Sequence, residues 1–390
     1  MLYLKLQKFQ RVLMEALKER VRTSRLLGQD DSLVLHGGGN TSVKIDGILW
    51  VKGSGWDLGT IEEGGFAPVR MDALLSIAEQ ESMSDSELVR LQREGMTDKA
   101  APAPSIEAVV HAIIPYRFVD HTHADAVVTI SNTPNGRELI EKIYGDKVVV
   151  VDYVMPGFIL SKAIAEAVKG RDWAEIEGIV LLNHGIFSFD ENGETSYQKM
   201  LALVQKASDF LAKNAYIDNK ISVSLISEAS KDALQSNISA LRGCPVEIVT
   251  IDTESAKMLS GLVNLQEIID GGPLTPEHVI RTKPKAAIIK EGKEAESIDS
   301  YADWYGEYFG RNNDGTKIIL DSAPRWGVVK GKGVFVAAKD DKEAKILKDI
   351  ISHTVDAMLR AEMLGYWKSL DERDMFAIEY WELEQAKLKK

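Results

Sequence analysis

The chain has 390 residues, of which 45% are hydrophobic and 27% charged, with a single cysteine, Cys244. Such a mix belongs to a folded protein with a large core and excludes collagen-like, low-complexity and disulfide-stapled classes. Lys and Arg number 47 against 59 Asp and Glu, a net charge of −12. That argues against a general nucleic-acid binder, which needs a basic stripe to displace counterions, but leaves room for a small anionic substrate held by a few local donors.

The length predicts two to three domains. Residues 4–27 are amphipathic and charge-rich, apolar at Leu13, Leu17 and Val21, and read as a helix rather than a secretory signal. No apolar run approaches the ~18 residues of a membrane span, so a cytoplasmic, non-membrane protein is expected. Residues 32–35 read as a short strand before His36-Gly37-Gly38-Gly39-Asn40. Val43 and Ile45 alternate with polar residues, Asp46-Gly47 follows, and 48–51 is again apolar, which predicts a hairpin. Lys52-Gly53-Ser54-Gly55 forms a second tight loop. Residues 71–92 read as helix with Ser84 as an internal N-cap; Ala101-Pro102-Ala103-Pro104 stops any helix, and Ser105 precedes a new one over 106–113. Strands are expected within 118–130, 148–151 and 178–189, helices over 137–144, 161–168 and 196–216, and a first domain over 1–217.

The remainder, 218–390, reads as a C-terminal α/β extension. Helices are expected over 228–241, 255–265 and 342–364, strands over 246–251, 286–290, 317–320 and 328–337, and a turn-rich stretch over 273–284. Residues 178–187 echo 327–335, each followed by a long helix, with the second copy one residue shorter and lacking the histidine. A degenerate repeat and two unrelated hairpin–helix segments are both compatible with that echo. Gly327, Gly331 and Gly333 match a dehydrogenase glycine spacing, but strand-like sequence continues where a helix should open, which favours a plain hairpin.

His121-Thr122-His123 is the sharpest chemical feature. Two imidazoles two apart on a strand face one side and can share a metal at ~2.0–2.1 Å, with His184 of Asn183-His184-Gly185 as a third ligand and a coordination position left open. Taken alone, such a pair is more often hydrogen-bonded in a core or at a surface. Glu107, at a helix start, suits a general base, although a carboxylate there commonly only caps the helix. The loops Gly37-Gly38-Gly39-Asn40 and Gly53-Ser54-Gly55, with Ser105 at a helix N-terminus, offer donors for a phosphate or serve merely as turns.

The order Gly-Gly-Gly-Asn-Thr-Ser, Lys-Gly-Ser-Gly, Pro-Ser-x-Glu, His-x-His, Asn-His-Gly resembles the class II aldolase/adducin family, closest to the aldolase half of bifunctional rhamnulose-phosphate aldolase/dehydrogenases. The match covers about the first 215 residues. Residues 275–388, with Arg281-Thr282-Lys283 and Glu379-Tyr380-Trp381, resemble the stretch C-terminal to the aldolase domain in those fusions. The resemblance implies an α/β/α sandwich around a mainly antiparallel sheet, and a Zn²⁺ or other divalent ion on His121, His123 and His184. It implies Glu107 as the catalytic carboxylate, and Gly39, Asn40, Ser54, Gly55 and Ser105 as phosphate contacts. Ile106 stands where related aldolases often carry a second hydroxyl, so one phosphate contact must be main-chain or absent. A homotetramer with a neighbour's residue at each site is implied, with Tyr144 and Tyr153 as candidates for that residue. The expected reaction is retro-aldol cleavage of a ketose 1-phosphate, L-rhamnulose 1-phosphate or a deoxy relative, to dihydroxyacetone phosphate and a hydroxyaldehyde such as lactaldehyde. Any oxidation of the aldehyde would fall to another protein.

An epimerase or decarboxylase of the same superfamily would use the same parts. A metallo-β-lactamase-like hydrolase would use His121, His123 and Asp125 but needs a histidine where Ala126 stands. A noncatalytic, adducin-like interaction module is the third reading, against which the three histidines and Glu107 argue. Arg281, Lys283, Arg325 and Lys332 could reach an anion, but scattered basic residues are more often solvated surface.

Overall fold

The computed structural model describes residues 2–217 and 223–385. They divide into two units. One takes in the described residues up to Val128 together with Arg137–Phe210, the other Thr129–Gly136 together with the described residues from Leu211 onward.

The first unit begins with helix α1 (Leu2–Gly28), then strands β1 (Asn40–Ile45), β2 (Ile48–Lys52) and β3 (Phe66–Arg70). Helices α2 (Met71–Glu79), α3 (Asp85–Gly95) and α4 (Ala108–Ile113), strand β4 (Phe118–Thr122) and helices α5 (Asp125–Ser131) and α6 (Gly136–Tyr144) follow. Strand β5 (Val148–Val151), helix α7 (Phe158–Ala167), the hairpin β6 (Gly178–Leu181) and β7 (Gly185–Asp190), and helix α8 (Gly193–Asn214) complete the series. Asp46 and Gly47, at φ 47° and 78°, supply the left-handed two-residue turn that the hairpin requires. Ser84 Oγ accepts from Glu87 N–H at 3.3 Å and starts α3 at Asp85, the internal N-cap expected within 71–92.

The sheet runs β3-β2-β1-β4-β7-β6-β5 and is antiparallel except for the β5–β6 pair. One face carries Val119, Ile179, Phe187 and Phe189 against Val110 of α4 and Leu160 and Ile164 of α7. On the opposite face Asp120 takes Arg20 of α1 at 2.5 Å and Ser196 Oγ of α8 at 2.5 Å, both fully buried. Helices therefore cover both faces, giving a mixed α/β sandwich around a mainly antiparallel sheet.

Residues 32–35 are not a strand. Leu33, Val34 and Leu35 are buried, but Leu33 and Val34 N–H donate back to Asp30 O in a turn.

The second unit contains α9 (Glu228–Arg242), β8 (Glu247–Ile251), α10 (Glu254–Ser260), α11 (Leu265–Asp270), α12 (Val279–Thr282), β9 (Ala287–Ile289) and α13 (Glu294–Asn312). Strands β10 (Trp326–Val329) and β11 (Gly333–Ala338) and helices α14 (Asp341–Leu364), α15 (Glu372–Glu379) and α16 (Glu382–Gln385) follow. The expected strand over 317–320 is absent; Ile318 is 87% exposed and Leu320 N–H donates to Tyr380 Oη at 3.3 Å rather than to a neighbouring strand. Helix α13, aromatic-rich and interrupted by Gly306 and Gly310, escaped the periodicity reading; Tyr301, Tyr305 and Tyr308 pack it into the core.

The sheet of this unit runs β8-β11-β10-β9, antiparallel, antiparallel, parallel, the same order and sense as β4-β7-β6-β5. The registers coincide. Phe118↔Asp190 through Thr122↔Ile186 correspond to Glu247↔Ala338 through Ile251↔Val334, and Val149↔Ile179 corresponds to Ala287↔Gly327. Both hairpin turns place their middle residue left-handed, Asn183 at φ 59° and Gly331 at φ 74°, and close with matching bonds, His184 N to Leu181 O and Lys332 N to Val329 O. Helices α5 and α10 are alike in length and start the same distance after β4 and β8. Pairing aligns Gly178 with Trp326 and Ile179 with Gly327 without a gap, so the one-residue offset read from the glycines disappears. The second unit repeats the topology of the β4–α8 portion of the first.

Candidate functional site

Strand β4 positions the first histidine. His121 pairs with Phe187 and its ring stacks on that phenyl at 4.1 Å between centroids. Its Nδ1 lies 3.1 Å from Ile186 O, which can only accept, so Nδ1 carries a proton and the neutral ring would offer its lone pair at Nε2. The strand ends at Thr122, and His123 is held just beyond it by its N–H to Leu33 O at 3.0 Å. His184 arrives on the β6–β7 turn. The three rings stand 5.0–5.1 Å apart between centroids, and one nitrogen from each lies within 4.8 Å of the others. An ion with ~2.0–2.1 Å bonds would draw these nitrogens to about 3.3 Å from one another.

Two glycines make the convergence possible. A Cβ at Gly185 would meet Thr122 O at 2.3 Å, and one at Gly38 would meet His123 Nδ1 at 3.1 Å.

Glu107 stands at the N-cap of α4, 4% exposed, but its side chain makes no cap hydrogen bond, which removes the capping reading of this carboxylate. Oε2 accepts from Asn40 Nδ2 at 2.5 Å and lies 3.7 Å from His121 Nε2. Oε1 lies 3.9 Å from His184 Nε2 and has no hydrogen-bond partner among the described residues. Three converging imidazole nitrogens and a carboxylate oxygen without a hydrogen-bond partner fit a divalent cation and a proton carrier side by side.

The loop serines are brought together. Gly53 and Pro104 form an antiparallel bridge, with Ser54 N–H to Ala103 O at 2.8 Å and Ser105 N–H to Lys52 O at 3.0 Å. Ser105 Oγ accepts from Glu107 N–H at 3.3 Å, which links this bridge to the carboxylate. Gly55 is exposed at φ 88°. Gly39, at φ 61°, has no room for a Cβ, which would meet His121 O at 2.6 Å. Asn40 is 6% exposed, and its Oδ1 and one amide hydrogen are turned to His111 and Glu107, which leaves one amide hydrogen for any phosphate. Ile106 packs against the core beside α4.

Sequence reasoning missed His111, fully buried on α4, one turn after Glu107. Its spacing from Glu107 is the only signal that could have found it. Tyr144 is buried and donates to Leu203 O at 2.9 Å, so its hydroxyl is committed inside its own unit. Tyr153 is half-buried.

In the second unit, the positions of His121, His123 and His184 are taken by Thr250, Asp252 and Lys332. Their charges are paired, Lys257 with Asp252 at 2.9 Å and Lys332 with Glu291 at 3.1 Å. Lys283 and Arg325 are not solvated surface as expected. Lys283 is 4% exposed, donates to Tyr305 Oη at 2.8 Å and lies 3.4 Å from Glu379, while Arg325 forks onto both oxygens of Asp321. Burial pushes the Lys283 ammonium down to about 8 and the Glu379 carboxyl upward.

Residues 18–210 match the model of the class II aldolase and adducin N-terminal domain, and residues 228–388 match that of the class II aldolase second domain. An uncharacterized oxidoreductase, YuxG of Bacillus subtilis (strain 168), is 32% identical over 96% of this chain, which covers 58% of that relative's length. The N-terminal class II aldolase domain of a conserved protein from Thermoplasma acidophilum is 42% identical over 50% of this chain and 92% of its own, with a TM-score of 0.46. L-fuculose-1-phosphate aldolase from Thermus thermophilus is 20% identical over 50% of this chain and 95% of its own, with a TM-score of 0.35. Two domain models of one family match in succession along a single sequence, and this chain belongs to the class II aldolase family.

Proposed function

We propose that the protein catalyses reversible retro-aldol cleavage of a ketose 1-phosphate, L-rhamnulose 1-phosphate or a related deoxyketose phosphate, to dihydroxyacetone phosphate and a hydroxyaldehyde such as lactaldehyde. The observation that carries this reading is the approach of Glu107 to within 3.7 and 3.9 Å of two imidazoles of a three-histidine cluster. His121, His123 and His184 would hold a Zn²⁺ or another divalent ion. Bound there, the ion would supply Lewis acidity, drawing off the negative charge left when the C3–C4 bond breaks.

The chain's own residues do the rest. Glu107 returns to C3 of the triose half a proton equivalent to the one the C4 hydroxyl gives up as it becomes the aldehyde, and its Oε1 is the oxygen available for that transfer. Ser54, Gly55 and Ser105, joined across the Gly53–Pro104 bridge, together with Gly39 and Asn40, orient the phosphate so that a nonphosphorylated ketose reacts slowly. A homo-oligomer, with a neighbouring copy adding a residue to each site, belongs to the same proposal.

A coupled assay for dihydroxyacetone phosphate, run over a panel of ketose 1-phosphates with and without chelator, tests it. Triose phosphate release that chelation abolishes is the expected result. Epimer exchange without triose phosphate, or release of carbon dioxide, would replace the aldolase reading with another chemistry on the same residues.

A further inference from the structure

A continuous line of buried hydrogen bonds runs behind the carboxylate. Ser42 Oγ lies 2.8 Å from His111 Nδ1, His111 Nε2 bonds Asn40 Oδ1, and Asn40 Nδ2 donates to Glu107 Oε2 at 2.5 Å. None of the four residues is more than 6% exposed. The geometry follows from two periodicities. Asn40 and Ser42 sit two apart on β1 and share a face, while Glu107 and His111 sit four apart at the start of α4 and stack on one side. The two pairs meet edge to edge.

An amide has one accepting end and one donating end, so its orientation is decided by whichever neighbour cannot change role. The Glu107 carboxylate can only accept, which turns the NH₂ toward it and Oδ1 toward His111; a neutral imidazole protonated at Nε2 then donates to Oδ1 and holds the amide in place, and the Ser42 hydroxyl donates to the bare Nδ1. Burial keeps His111 well below the usual imidazole range, and His121, Lys44 and Arg20 push in the same direction. Were the amide reversed, Oδ1 would face a carboxylate oxygen, acceptor against acceptor.

The geometry points to His111 as a positioning residue for Glu107. By holding Asn40 Oδ1 it keeps the amide seated on Glu107 Oε2, which leaves Oε1 beside His184. The orientation itself does not depend on the reaction; its effect on turnover rests on the retro-aldol reading. Removing His111 leaves the metal ligands in place but frees Asn40 and lets the carboxylate rotate, so the loss falls on kcat with metal content unchanged, and KM shifts only through the phosphate contact of Asn40.

The test combines nitrogen NMR of histidine-labelled, metal-free wild-type protein with two variants, His111→Leu and His111→Gln. His111 is expected to be neutral at pH 7 and protonated at Nε2. His111→Leu should lower kcat by about 10–100-fold, the range typical of groups that orient a site, with bound zinc near wild type. His111→Gln, whose amide can donate to Asn40 and accept from Ser42, should recover most of that loss. An Nδ1-protonated or cationic His111, a leucine variant with unchanged kcat, or a glutamine variant no better than leucine would overturn the inference. If wild type cleaves no ketose phosphate, the retro-aldol reading fails separately, and the tautomer with a crystal structure of His111→Leu decides: Asn40 turned away from Glu107 supports the role and Asn40 unmoved refutes it. If the leucine variant does not fold, the tautomer and the glutamine variant decide alone.

Discussion

The carbonyl oxygen of Thr122 fills the space a side chain on Gly185 would need, 2.3 Å from an ideal Cβ. The close approach is between backbones of paired strands, since Thr122 opposes Ile186, and the same Cβ would meet the rings of His121 and His123 at 3.0 and 3.1 Å. No rotamer change relieves a clash with a carbonyl. Gly185→Ala is therefore expected to push the His184 turn outward and weaken divalent metal binding by about 10–100-fold. Competition against a chromophoric chelator measures this, and an unchanged affinity would show that the approach does not set the cluster.

The repeat bears on metal content. Thr250, Asp252 and Lys332 stand where the first unit has three histidines, and a lysine paired to Glu291 at 3.1 Å offers no lone pair to a cation. One tightly bound divalent ion per chain is expected by elemental analysis after exhaustive dialysis, and none in His121→Ala or His184→Ala. A second ion surviving those substitutions would contradict the assignment. Chelation should also lower the unfolding temperature, because an ion at 100 times its Kd stabilises the folded state by about 2.7 kcal/mol.

Glu107→Gln keeps the shape of the side chain and an oxygen for Asn40 but removes the proton carrier. Turnover should fall by about 10²–10⁴-fold with the metal retained, read from steady-state rates and zinc content of the same preparation. Near-normal turnover would take Glu107 out of the mechanism and leave the proton transfer to another group.

In the second unit, Lys283 and Glu379 share the Tyr305 hydroxyl, which donates to Glu379 Oε1 at 2.8 Å, and the ammonium lies 4.0 Å above the Tyr305 ring. Removing one partner strands a buried charge. Lys283→Met and Glu379→Gln should each cost about 3–5 kcal/mol in chemical unfolding, and the double variant clearly less than their sum. Additive losses would show that the two charges are not energetically joined.

Local signals in the sequence were enough for much of this molecule. Asp46-Gly47 dictated a hairpin because its left-handed dihedrals are cheap only for such residues, and Ser84 marked a helix start because its hydroxyl reaches an orphan N–H three residues on. The order of the glycine, serine, glutamate and histidine motifs carried the family. What acts over a few residues is written in those residues.

Tertiary structure alone decided the rest, because it depends on which distant segments pack together. Leu33 to Leu35 have strand-like composition but fold into a buried turn that anchors His123. Lys283, solvated by every compositional argument, is buried against a carboxylate brought in from almost a hundred residues away. The sequence left the repeat as one of two readings of a faint echo, and strand register decided it, since ladder bonds preserve pairing after side chains have diverged. His111 gained a role only when β1 and α4 met and an amide between them had to choose which end to present to Glu107.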